Sequence, residues 1–102
     1  MKKITVNDMR RAITYVNNGN VVLGDLSDVS DEDLLACGFL RDLKMGNIRK
    51  ANVPIQLMRM YNLHLPLDVF HNAKDDTVGA LMESINNHLA TYGDKEDETA
   101  DA

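Results

Sequence analysis

Few side chains in this sequence are of types that do chemistry, and their spacing removes most of the options. The one cysteine, Cys37, follows Leu34-Leu35-Ala36 and precedes Gly38. Apolar surroundings raise a thiol pKa, so it reads as a buried structural residue. His64, His71 and His88 lack the H-x-x-x-H spacing of a metal site and have no companion cysteines, so no metal is expected. Asp28, Asp31, Glu32 and Asp33 cluster where carboxylates cap a helix and suit its dipole, and they do not form a catalytic dyad. The glycines at 19, 24, 38, 46, 79 and 93 are scattered and make no phosphate loop. No nucleophile stands out beside a base, and no enzymatic activity is expected. What remains is FLRDLKMGNIRKANVPIQLM, residues 39–58. From Gly46 to Tyr61 the chain carries Arg49, Lys50 and Arg59 and no acid. Such a face meets a partner by charge.

The elements that hold these residues follow from apolar periodicity and caps. Val6, Met9, Ile13 and Val16 form one helical stripe, with Thr5 as cap, Asp8 in the first turn and NNGN at 17–20 as the stop. The connection from Asn20 to Ser30 is too apolar for a floppy loop and is expected to cross the core in ordered form. Ser30, with Asp33 three residues on, resembles a capping box and opens a short helix, Asp31 to Cys37. A second main helix lies between Gly46 and Tyr61, with Asn47 as its expected N-cap and Ile48, Ala51, Ile55 and Met58 as its apolar stripe, widened by Leu57 and Tyr61. Pro54 allows two arrangements, a kinked helix or a fresh start capped by Asn52, and the fresh start is preferred. Pro66 opens a short helix over 67–70. Asp75-Asp76-Thr77 caps a last one, with Val78, Leu81, Met82, Ile85 and Leu89 as its stripe and TYGD at 91–94 as its end. Met9, Met58 and Met82 fit core positions, whereas Met45 and Met60 are candidates to line a groove. No strand alternation of any length appears. The fold class is all-α.

Composition agrees with a small soluble domain. The chain has 102 residues, 44% hydrophobic and 26% charged, with a net charge of −5. Residues 94–102 carry five acids and one lysine, a net of −4, which leaves −1 for residues 1–93. A domain over 1–93 and an acidic disordered tail over 94–102 are expected. A nearly neutral folded part disfavours nucleic acid, and a DNA-binding helical domain ranks last. There is no membrane-length apolar run and no secretory leader, and the single cysteine excludes an internal disulfide, so a cytoplasmic setting is expected.

The ordered landmarks resemble the acyl carrier proteins. That family has an aromatic residue, then D-L-G-x-D-S-L-D opening the second helix, later an aromatic residue with I-x-I-P, and T-V with a downstream isoleucine in the last helix. Here the corresponding residues are Phe39, Asp42-Leu43-Lys44-Met45-Gly46-Asn47-Ile48-Arg49, Tyr61, Leu63-His64-Leu65-Pro66, Thr77-Val78 and Ile85. The likeness covers roughly residues 34–89. It implies a four-helix bundle with a long loop after the first helix and a short third helix.

The same likeness shows what has changed. The family's serine forms a phosphodiester with 4′-phosphopantetheine, and Asn47 stands in its place. A carboxamide nitrogen is a poor nucleophile because its lone pair is delocalised. The neighbouring aspartates are replaced by Gly46 and Arg49, and no other serine lies near this helix. The expectation is therefore a carrier-like domain without phosphopantetheine that acts as a non-catalytic, monomeric interaction module. Asn47, Arg49, Lys50 and Arg59 would bind a protein partner, for instance an acyl-processing or lipid-synthesis enzyme. The alternative is a working or divergent carrier in fatty-acid, lipid or polyketide synthesis.

Overall fold

The computed structural model describes residues 3–17, 26–66 and 68–93. Five α-helices account for most of them: α1 Val6–Val16, α2 Asp31–Ala36, α3 Asn47–Tyr61, α4 Asp68–His71 and α5 Val78–His88. The protein is all-α, and no strand is present among the described residues. Helix α2 is the short helix expected after Ser30, which a four-helix count leaves out. The acidic segment 94–102 and most of the apolar connection, 18–25, lie outside the described residues.

Caps set most of the helix starts. Thr5 accepts the Asp8 amide, and the Asp8 carboxylate accepts the Thr5 amide in return at 2.9 Å, a reciprocal capping box. Ser30 accepts from the Asp33 amide and Thr77 from the Ala80 amide. Helix α3 ends at Asn62, whose left-handed backbone (φ 55°) asparagine tolerates better than most residues. Helix α4 follows Pro66 over Asp68–His71, the expected first residue Leu67 lying outside the described residues, and α5 closes in a wider, π-type turn over Leu89–Gly93.

The core joins Ile4, Met9, Ala12 and Ile13 from the first helical segment to Leu26 and Leu34. It continues through Phe39, Leu43 and Met45 on the turn before α3, and Val53 and Leu57 within it. Cys37, Leu65, Val69, Val78, Leu81, Ile85 and Leu89 complete it. Met45 is thus a core residue and does not line a groove, while Met60 is partly buried against the core. Polar groups pin the layers. Asn86 accepts from the Ile4 amide at 2.6 Å and donates to the Ile4 carbonyl at 3.0 Å, tying the start of the chain to α5. Arg10 reaches across to the carbonyls of Leu26 (3.0 Å) and Val29 (2.7 Å) and to Asp31 (3.0 Å), holding the crossover against α1. Buried Ser84 donates to the Val69 carbonyl at 2.6 Å and joins α5 to α4.

Three expectations for α3 are corrected. It runs unbroken through buried Pro54, with Asn52 exposed in its middle and no fresh cap. An interior proline costs about 3 kcal/mol, but Val53, Pro54 and Leu57 are buried together, and that apolar burial offsets it. The N-cap is Gly46, in extended backbone and without a side-chain bond, so Asn47 is the first helical residue. The start is set upstream, where Met45 is buried and its amide bonds the Phe39 carbonyl at 2.8 Å. The buried side keeps part of the expected stripe, with Leu57 buried and Met58 and Tyr61 packed against the core, but it loses the two isoleucines. Ile48 is 83% exposed, and Ile55 also faces solvent. The Ile48–Ile55 stripe shares its side of the helix with Asn52 and Arg59, and burying an unpaired guanidinium is prohibitive. The opposite side carries only Lys50 and Tyr61 as polar groups, and both find partners.

Candidate functional site

The turn from Cys37 to Gly46 delivers α3, and its shape is fixed by bonds to the start of α5. The Phe39 amide donates to the Asp76 carbonyl at 2.8 Å, the Val78 amide to the Cys37 carbonyl at 2.9 Å, and the Leu40 amide to the Asp76 carboxylate at 3.1 Å. Within the turn, Asp42 accepts the Gly38 amide at 2.7 Å and ion-pairs with Arg41. That pairing, and then the Gly38 bond, holds the Asp42 carboxyl below its ordinary value. Lys44 adopts a left-handed backbone (φ 55°) that lets the chain swing into Met45 and Gly46.

The four residues singled out from the sequence divide here. Asn47, Arg49 and Arg59 are exposed. Lys50 is not in their company: its side chain is only 19% exposed. Its ammonium ion-pairs with Asp76 and lies 5.5 Å from the Phe39 ring centroid and 5.7 Å from that of Phe70. Burial alone would raise the Asp76 carboxyl, but the bonds from Lys50 and the Leu40 amide outweigh it and leave the group lowered. Lys50 therefore fastens α3 to the α5 cap and to α4. The signal in the sequence was present but ambiguous, since Lys50 lies between Arg49 and Ala51 with nothing local to mark it as inward-facing.

The outer side of α3 is what remains open. Ile48, Asn52, Ile55 and Arg59 recur at i, i+4, i+7 and i+11, one continuous stripe, and Arg49 stands beside it. Among the described residues, neither Arg49 nor Arg59 meets a carboxylate, in contrast to Arg10, Arg41 and Lys50, which pair with Asp31, Asp42 and Asp76. Leu40, on the turn that leads into the helix, is a further exposed apolar residue. At Gly46 a Cβ would meet nothing within 4 Å, so the head of the helix is sterically open.

Elsewhere, chemistry is muted. The Cys37 thiol is buried, and that burial, helped by Asp42 and Asp33, pushes it above its ordinary value, which suits an inert thiol. His64 and His71 are exposed, and among the described residues no group of three or more His, Cys, Asp or Glu is placed to hold a metal ion. An open groove of about 870 Å³ runs beside α2 and α5, with Leu35, Gly79 and Met82 in its lining. Asp75 and Thr77 also line it, but they are bonded to each other in the α5 cap.

Sequence reading missed the pairing of buried Asp8 with half-buried Tyr61. The Tyr61 hydroxyl donates to the Asp8 carboxylate, which also accepts the Thr5 amide and hydroxyl, so one side chain caps α1 and latches α3. Burial would raise the Asp8 carboxyl, yet these donors and Arg11 lower it on balance. The only hint in the sequence was an acid at the third position of α1, and nothing there names a tyrosine 53 residues away. No helix among the described residues is long and apolar enough to cross a membrane. No protein-family profile, curated protein or solved structure matches the chain.

Proposed function

We propose that this chain is a helical domain of the acyl-carrier type that carries no prosthetic arm and acts by binding another protein through the outer side of α3. It is read as non-enzymatic, monomeric and cytoplasmic. The helix order supports the reading: a long first connection, α3 opened by the Phe39 turn, a short α4 after Pro66, and α5 capped by Thr77. One observation carries it. The exposed first residue of α3, where the resemblance calls for a serine oxygen, is Asn47, and its amide does not attack phosphorus. The helix it opens carries no acid and displays Ile48, an arrangement suited to contact and not to the basic patches that meet ordinary carriers.

The test is intact-mass measurement after co-expression with a broad-specificity phosphopantetheinyl transferase and coenzyme A. The native chain stays unmodified, and the Gly46→Asp, Asn47→Ser double variant gains the arm. An adduct on the native chain would overturn the reading and make the protein a working carrier of fatty-acid, lipid or polyketide synthesis.

A further inference from the structure

We propose that the occupant of the α3 face is an acidic amphipathic helix of a partner protein. Its apolar residues, spaced two turns apart, would cover Ile48 and Ile55, and its carboxylates would meet Arg49 and Arg59. The proposal rests on the interaction-module reading and adds the partner's chemistry. The stripe is the length of a helix contact: Ile48 and Ile55 are separated by about 10 Å along the axis and Ile48 and Arg59 by about 16 Å. An i, i+7 pair of apolar side chains matches the same spacing on a facing helix. Among the described residues, two guanidiniums flank that pair without a carboxylate of their own, and the segment from Gly46 to Tyr61 offers no acid. In the proposed contact the counter-charge comes from the partner.

That requirement decides among occupants. A second copy packed antiparallel would set Ile48 of each chain near Ile55 of the other. It would also bring Arg59 of each onto the Lys44 and Arg49 end of the other, cation against cation, so self-association is disfavoured. A basic partner is repelled by the same charges. A purely anionic polymer would satisfy the arginines but leave two isoleucines uncovered, one of them 83% exposed. An acidic amphipathic helix satisfies both features.

The experiment is selection from a displayed library of 18-residue helical peptides with randomised surface positions, using the full chain as bait. Binders should be enriched in Asp and Glu around Leu or Ile residues seven apart. The exposed substitutions Ile48→Asp and Arg49→Glu with Arg59→Glu, checked for unchanged circular dichroism, should each weaken the selected peptides roughly tenfold or more. The arginine pair should also shift selection toward Lys- and Arg-bearing peptides. Enrichment of basic or neutral peptides, or of acidic peptides indifferent to Ile48→Asp, would overturn the acidic-helix assignment while leaving the interaction-module reading to the mass measurement. No enrichment that depends on Ile48 or the arginines would overturn it as well.

Discussion

The Asp8–Tyr61 bond invites a double-mutant cycle because it joins two helices through one carboxylate. Tyr61→Phe removes a single bond to an ionised acceptor that keeps its Thr5 donors. A bond to a charged group contributes roughly 1.5–3 kcal/mol, and Tyr61 is only half-buried, so a loss of about 1–2 kcal/mol is expected. Asp8→Ala removes that bond together with the reciprocal cap, itself worth about 1 kcal/mol, and strands the Tyr61 hydroxyl. Its expected cost is about 2–4 kcal/mol. In the double variant most of the tyrosine effect has already been spent, so the two losses should fall short of additivity by about 1–2 kcal/mol. Urea unfolding followed by circular dichroism reads all four corners. For a domain near 100 residues, Tyr61→Phe should also lower the melting temperature by about 4–12 °C. Additivity within about 0.5 kcal/mol would show that the two side chains do not cooperate and would refute the latch.

Other expectations follow from the same contacts. Lys50→Ala should destabilise by about 1–2 kcal/mol through loss of the Asp76 pair and the two ring contacts, while leaving peptide binding at the outer face intact; urea titration and peptide affinity measured together check this. Lys44→Gly should stabilise by about 0.5–1 kcal/mol in thermal melts, because glycine enters the left-handed region without the Cβ penalty. Gly79→Val should cost about 2 kcal/mol or more in the same assay, since a Cβ there would stand 3.0 Å from the Leu35 backbone oxygen. The Asp8 and Asp76 carboxyls are lowered from 3.8 in the folded state, so their contribution is fully present above about pH 4 and is lost as pH falls through the folded values. Urea midpoints should drop below about pH 4, and less steeply in Tyr61→Phe.

Local signals were legible where local chemistry decides. Thr5 with Asp8, Ser30 and Thr77 announced three helix starts, and the α5 stripe is buried at Val78, Leu81, Ile85 and Leu89, with Met82 only partly covered. Helix α3 resisted because its sequence carries two overlapping apolar spacings, Ile48–Ile55 and Val53–Leu57, and the choice between them lies outside it. Asp8 and Asp76 supply partners for Tyr61 and Lys50 on one side, and among the described residues no carboxylate does so for Arg59 on the other. The same holds for Asn47. A good capping residue was passed over because buried Met45 fixes where the helix may begin. For the candidate site, the sequence identified its cationic character, and the structure separated Lys50 from the exposed pair and added the isoleucines.

The bonds between Cys37–Leu40 and Asp76–Val78 have a topological meaning. They make α3 and α4 a ring of about 40 residues closed at its base, and the Ile4–Asn86 bonds close a second ring around the first. Closing the inner ring costs about 3 kcal/mol of chain entropy, but afterwards the path from Ile4 to Asn86 is roughly halved, easing the outer closure by about 0.6 kcal/mol. The nesting therefore favours closing the inner ring before the outer one. A cut in the exposed link between α4 and α5 would open the inner ring and remove the shortcut that eases docking of the N-terminal segment.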